Sequence, residues 1–138
     1  MATNTLGSNA RQLPWQVVHD LRKSVAYNTT DIGTADVVKV GTLPAGAFIT
    51  DVKVRIDTAF NAGTTNVLTV GTNAGSDNNI VAAADVNEAA TGTTSVTTGI
   101  GLSIAADTPV YVRYTQSGTA ATAGAATIVI LYVANNDG

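Results

Sequence analysis

The 138-residue chain has no cysteine and only one histidine, one glutamate, one methionine and one tryptophan. Without cysteine there are no disulfides, thiolate metal sites or cysteine nucleophiles. A lone histidine, His19, excludes a multi-histidine zinc or iron centre. Charged residues make up 12% of the chain and the net charge is −3. That is the wrong sign for a protein whose affinity rests on neutralised phosphates. No apolar run approaches the ~20 residues that cross a bilayer as a helix. The longest, Ala125–Ala134, is strand length and interrupted by Thr127. Residues 1–13 hold no apolar stretch of signal-peptide type, so synthesis in a cytoplasm is expected. Neither nucleic acid nor a membrane is expected as a partner, and no cofactor is expected.

What the chain does contain is Val, Ile and Thr, which number 17, 8 and 22. Stiff β-branched side chains suit a pleated surface, and straight-chain helix formers other than Ala are scarce. An all-β domain is expected. Short runs follow one another at fairly even spacing. Ser24–Thr29 reads as a first strand with Val25 and Tyr27 on one face, and Asp36–Gly41 as a second. Leu43-Pro44-Ala45-Gly46 is a turn, with Pro restricted in φ and Gly free to take positive φ. Ala47–Thr58 alternates strictly: Val52, Val54 and Ile56 face one way, and Asp51, Lys53, Arg55 and Asp57 the other. Such a strand has one face on the core and one in water.

Further strands are expected at Asn66–Gly71, Ile80–Ala83, Thr94–Thr98, Ile100–Ala105 and Val110–Thr115, with room for one helical turn within Ala84–Thr91. The last, Ala125–Ala134, is apolar on both faces. Ala126, Ile128, Ile130 and Tyr132 line one, and Thr127, Val129, Leu131 and Val133 the other. Such a strand lies centrally in a two-layer body, or its outer face meets a partner or the chain's own leader. About eight short strands with no long helix between them exclude parallel βαβ units. They indicate an antiparallel β-sandwich of jelly-roll type over residues 24–138, preceded by an extended N-terminal arm over residues 1–23.

No constellation announces catalysis. His19-Asp20 is the one adjacent acid–base pair, but neighbours on a strand point to opposite faces. The carboxylates are almost all Asp, mostly at turn positions such as Asp31, Asp36, Asp77, Asp85 and Asp107. There they bond nearby amides, and no two are marked as a glycosidase pair. Gly71–Asn79 is rich in side-chain oxygen but lacks the spacing of an EF-hand. Gly99-Ile100-Gly101 lacks the third glycine and the βαβ context of a dinucleotide fingerprint. No catalytic and no metal-binding residue is therefore assigned.

Charge is unevenly spread. Residues 1–27 carry Arg11, Arg22 and Lys23 against Asp20, whereas residues 28–138 carry four basic and nine acidic side chains. A cationic leader ahead of an acidic body suits docking on an acidic neighbour. Trp15, beside Pro14, is expected to pack on the body or on a neighbour rather than stand in water. The candidate partner interface is therefore Arg11, Trp15, Arg22, Lys23, Val129, Leu131 and Val133.

The stretch Leu43-Pro44-Ala45-Gly46-Ala47-Phe48-Ile49-Thr50-Asp51-Val52, then Val54–Phe60 and Val67–Gly71, resembles small virion proteins of tailed bacteriophages. With Ala82–Glu88, Val110–Val112 and the closing apolar strand, it resembles the jelly-roll head decoration, or cement, proteins over roughly residues 37–133. The resemblance implies a non-enzymatic protein on the outer surface of an icosahedral head. Such a protein binds the major capsid protein across capsomer boundaries and resists the pressure of packaged DNA. Self-association is also expected, as a dimer rather than a trimer. The alternative is a receptor- or glycan-binding module of a tail fibre or adhesin, with Asp77-Asn78-Asn79 as its site.

Overall fold

The computed structural model describes residues 18–28, 37–72 and 77–134. Seven strands follow in chain order: β1 (Val18–Ala26), β2 (Val38–Leu43), β3 (Phe48–Thr58), β4 (Thr65–Gly71), β5 (Gly92–Val96), β6 (Thr108–Ser117) and β7 (Ala125–Val133). They form a four-stranded sheet, β1-β7-β3-β5, and a three-stranded sheet, β2-β6-β4, and every pairing is antiparallel. A bridge between Val70 and Val81 adds a stub beside β4. The seven named strands alternate between the sheets along the chain, and with the stub added beside β4 the order is that of an eight-stranded jelly roll, as the sequence leads one to expect.

The core lies between the sheets. Val52, Val54 and Ile56 from β3, Ile128 and Ile130 from β7, and Val110, Val112 and Tyr114 from β6 are buried, as their alternation requires. Each such aliphatic side chain stabilises the fold by ~1.5–3 kcal/mol relative to exposure. The turn after β2 forms as expected: Gly46 has φ 80° and the Ala47 amide donates to the Pro44 carbonyl at 3.1 Å. Asp107 fixes it from across the sheet, accepting from the Ala45 amide at 2.9 Å.

Three expectations are corrected. β1 begins at Val18, so residues 18–23 belong to the sheet and pair with β7 as far as Val133. Ile100–Ala105 forms no strand, because the Ile100 and Leu102 amides donate back to the carbonyls of Thr97 and Gly99. Residues 84–91 hold turns and no helix: the Asp85 amide donates to the Ala82 carbonyl, and Asp85 Oδ2 accepts from the Ala82 amide at 2.8 Å.

Candidate functional site

β7 occupies the middle of the four-stranded sheet, between β1 and β3. Its inner side chains fill the core. Its outer ones, Val129, Leu131 and Val133, stay only half-covered by described residues. Register then fixes what stands beside them. One row runs Asp20–Leu131–Asp51, and the next runs Arg22–Val129–Lys53–Ser95. Beyond these lie Val18–Val133–Phe48 at one end and Ser24–Thr127–Arg55–Thr93 at the other. The face thus has an apolar stripe along β7, flanked by acidic positions in one row and basic positions in the next. Phe48 and Val18 at its end are 52% and 58% exposed.

The outer charges differ in how they are held. Lys53 Nζ donates to Ser95 Oγ at 2.8 Å and stands 3.3 Å from the Asp51 carboxylate. Arg55 pairs with Asp57, which also accepts from Thr127 Oγ1 at 2.8 Å. The Thr127 hydroxyl, aided by Arg55 and Arg22, holds the Asp57 carboxyl below the usual range against the opposing effect of burial. The side chains of Asp20 and Arg22 make no hydrogen bond or salt bridge with another described residue. An open groove of about 230 Å³ lies over the basic row, lined by Arg22, Lys53, Arg55, Thr93, Thr127 and Val129.

Four of the seven candidate interface residues, Arg22, Val129, Leu131 and Val133, share this face. Lys23 does not. It pairs with Ile128 on the core side of edge strand β1, so adjacency in sequence places it on the opposite face from Arg22. Arg11 and Trp15 lie outside the described residues. Sequence reasoning missed Asp20, Asp51, Lys53, Phe48 and Val18 as part of this surface. The alternation along β3 marks its charged residues as solvent-facing, but only the β3–β7 register puts them beside the apolar stripe.

Of the oxygen-rich stretch, the described Thr72, Asp77 and Asn79 form hydrogen bonds within the fold. Asp77 is buried and accepts from Arg113 Nε at 3.0 and 3.1 Å. Thr69 Oγ1 adds a donor at 3.3 Å. Asn79 accepts from the Thr72 amide at 2.9 Å and donates to Thr72 Oγ1 at 2.8 Å. Among the described residues no cluster of three or more acidic or histidine side chains is arranged to hold a metal. His19 and Asp20 separate as the strand rule requires: His19 stacks on Tyr132 at 5.6 Å, and Asp20 takes the outer face.

The described residues thus form a small β-sandwich with one half-covered outer face. No protein-family model and no curated protein matches the sequence. Solved structures do. A chain of the cyanophage Pam1 capsid asymmetric unit is 28% identical, with a TM-score of 0.66 over 85% of this chain and 84% of that one. A chain of the acid-stable capsid of Helicobacter pylori bacteriophage KHP30 matches with a TM-score of 0.62 and 16% identity over 84% and 86%. One from the capsid of Ralstonia phage GP4 matches with 0.60 and 20% over 88% and 86%. At these identities the latter two share the fold.

Proposed function

We propose that this chain is a structural protein of a bacteriophage virion that decorates the outside of the head. There it binds the major capsid protein across capsomer boundaries and acts by contact, without turnover. The observation that carries this reading is the match to a chain of the Pam1 capsid, which spans nearly the whole body at 28% identity. The half-covered β7 face supports it, since half-buried Val and Leu ringed by charge is the make-up of a protein interface. In this reading residues 1–17, with Arg11 and Trp15, attach to the capsid, while Arg22, Val129, Leu131 and Val133 meet a second copy. Each contact can be weak, because many copies act together on one shell.

The test is attachment. Heads of the source phage prepared without the protein are mixed with the full chain or with a chain lacking residues 1–17, then sedimented. The truncation stops short of Val18 so that β1 is kept. Full chain in the pellet at fixed stoichiometry, with the truncated chain left in the supernatant, is the expected result. Failure of the full chain to bind refutes the reading. Equal binding by both refutes the role of residues 1–17.

A further inference from the structure

We infer that the outer face of the four-stranded sheet is self-complementary, so that a second copy of this chain packs on it face to face about a two-fold axis. The rows of side chains set the geometry. Asp20–Leu131–Asp51 is acidic, apolar, acidic, and the neighbouring row Arg22–Val129–Lys53 is basic, apolar, basic. A two-fold axis lying in the plane of the face, perpendicular to the strands and midway between these rows, keeps each strand over its own copy and exchanges the rows. Asp20 then meets the partner's Arg22, Leu131 meets the partner's Val129, and Asp51 meets the partner's Lys53. The symmetry repeats all three contacts, as an isologous interface requires.

The same operation accounts for two further features. It carries the row Val18–Val133–Phe48 onto the row Ser24–Thr127–Arg55. The exposed Phe48 ring therefore receives the partner's Arg55 guanidinium, and Val18 gains cover over Ser24. It also supplies a close ion pair to the side chains of Asp20 and Arg22, which make no salt bridge among the described residues, Arg22 acting on Asp57 only through its field. Within one chain Asp20 and Arg22 stand two positions apart on one strand face without a salt bridge between them. Across this axis they form two symmetric ion pairs.

At ~4.8 Å between strands and ~3.3 Å per residue, the face is roughly 19 Å by 25 Å. That is at the small end for a stable pair, so matched charge rather than area sets the affinity. This gives a geometry to the self-association named under the proposed function and rests on that part of it, but does not depend on attachment to heads.

The experiment is sedimentation velocity of the full chain and its variants across the micromolar range, with circular dichroism to confirm the fold. The parent is expected to dimerise, with a dissociation constant that rises with salt. Asp20→Arg and Arg22→Asp each set like charges against each other twice, and each is expected to weaken the dimer by about tenfold or more. The double variant Asp20→Arg/Arg22→Asp restores opposite charges and is expected to return to within about threefold of the parent. A monomer at every concentration overturns the inference, whether water or the chain's own leader covers the face. A trimer overturns the two-fold geometry, as do single variants without effect or a double variant without rescue. Head binding by the monomeric Arg22→Asp chain, measured in parallel, separates failure here from failure of the virion reading.

Discussion

Arg22 and Lys23 are adjacent in the chain and lie on opposite faces of one sheet: Arg22 stands across from Val129 on the outer face, and Lys23 across from Ile128 on the inner. An inward Lys on an edge strand also blunts edge-to-edge pairing. Lys23→Glu is therefore expected to leave self-association within about twofold of the parent by sedimentation, unlike the roughly tenfold loss expected of Arg22→Asp. Equal losses would show that the face is not the determinant.

Leu131 lies between Asp20 and Asp51 on the outer face. Leu131→Asp adds a third carboxylate to that row and removes the apolar centre of the contact. The expected outcome is a monomer with the parent's circular dichroism spectrum. A variant that sediments like the parent contradicts the assignment of the β7 stripe to an interface.

Gly124 has φ 148°, and a Cβ there would come within 2.2 Å of Phe60 Cδ1. Phe60 cannot retreat, because its ring meets the buried Tyr114 ring at 4.5 Å. Gly124→Ala is expected to destabilise by about 2–3 kcal/mol in urea unfolding, combining backbone strain with overpacking. A change below about 0.5 kcal/mol would mean that the loop moves aside.

Asp77 and Arg113 join the loop after β4 to β6 within the fold. Asp77→Ala removes a buried acceptor from a partly exposed guanidinium. It is expected to lower stability by about 2 kcal/mol, less than for a fully buried pair. The same variant should leave any attachment to heads or glycans unchanged. A loss of binding with stability intact would return this loop to candidacy as a ligand site.

The only glutamate, Glu88, is buried and accepts from the Leu68 amide at 2.8 Å. Burial pushes its carboxyl above the ordinary value of 4.5, and the Leu68 bond opposes that only in part. A carboxyl raised in the folded state holds its proton more tightly there than when unfolded. Stability therefore falls as pH rises from 4.5 through the raised value. Asp57 acts in the opposite sense: its lowered carboxyl contributes stability above 3.8 that is lost on further acidification. Glu88→Gln keeps the acceptor for Leu68, so urea midpoints are expected to lose their decline above pH 4.5 while the acid limb remains. An unchanged decline would assign it to another group.

Much of the fold is legible in residue order because local alternation reports burial directly. Asp51–Asp57 and Val110–Thr115 show the period of two that their strands display, and the two-faced greasiness of Ala125–Val133 marks its central place. β1 is less legible. On an edge strand Lys23 and His19 point to the core side, so Val18–Lys23 reads as a polar leader. Ile100–Ala105 shows the converse failure. Its apolar residues suggest a strand, but Gly101 at φ 78° and the turn bonds beside it take the backbone elsewhere. The candidate surface was half legible. Val129, Leu131, Val133 and Arg22 are visible as apolar or basic residues. That Asp20 and Asp51 flank one and Lys53 another depends on pairings between positions more than 70 residues apart.

The most direct measurement is a cryo-electron microscopy reconstruction of the source phage's heads with the protein and without it. The expected result is density for this sandwich on the outer surface at capsomer boundaries, absent from the second map and restored when purified protein is added back. Heads whose outer surface is the same in both maps, or density confined to a tail fibre, would contradict the account.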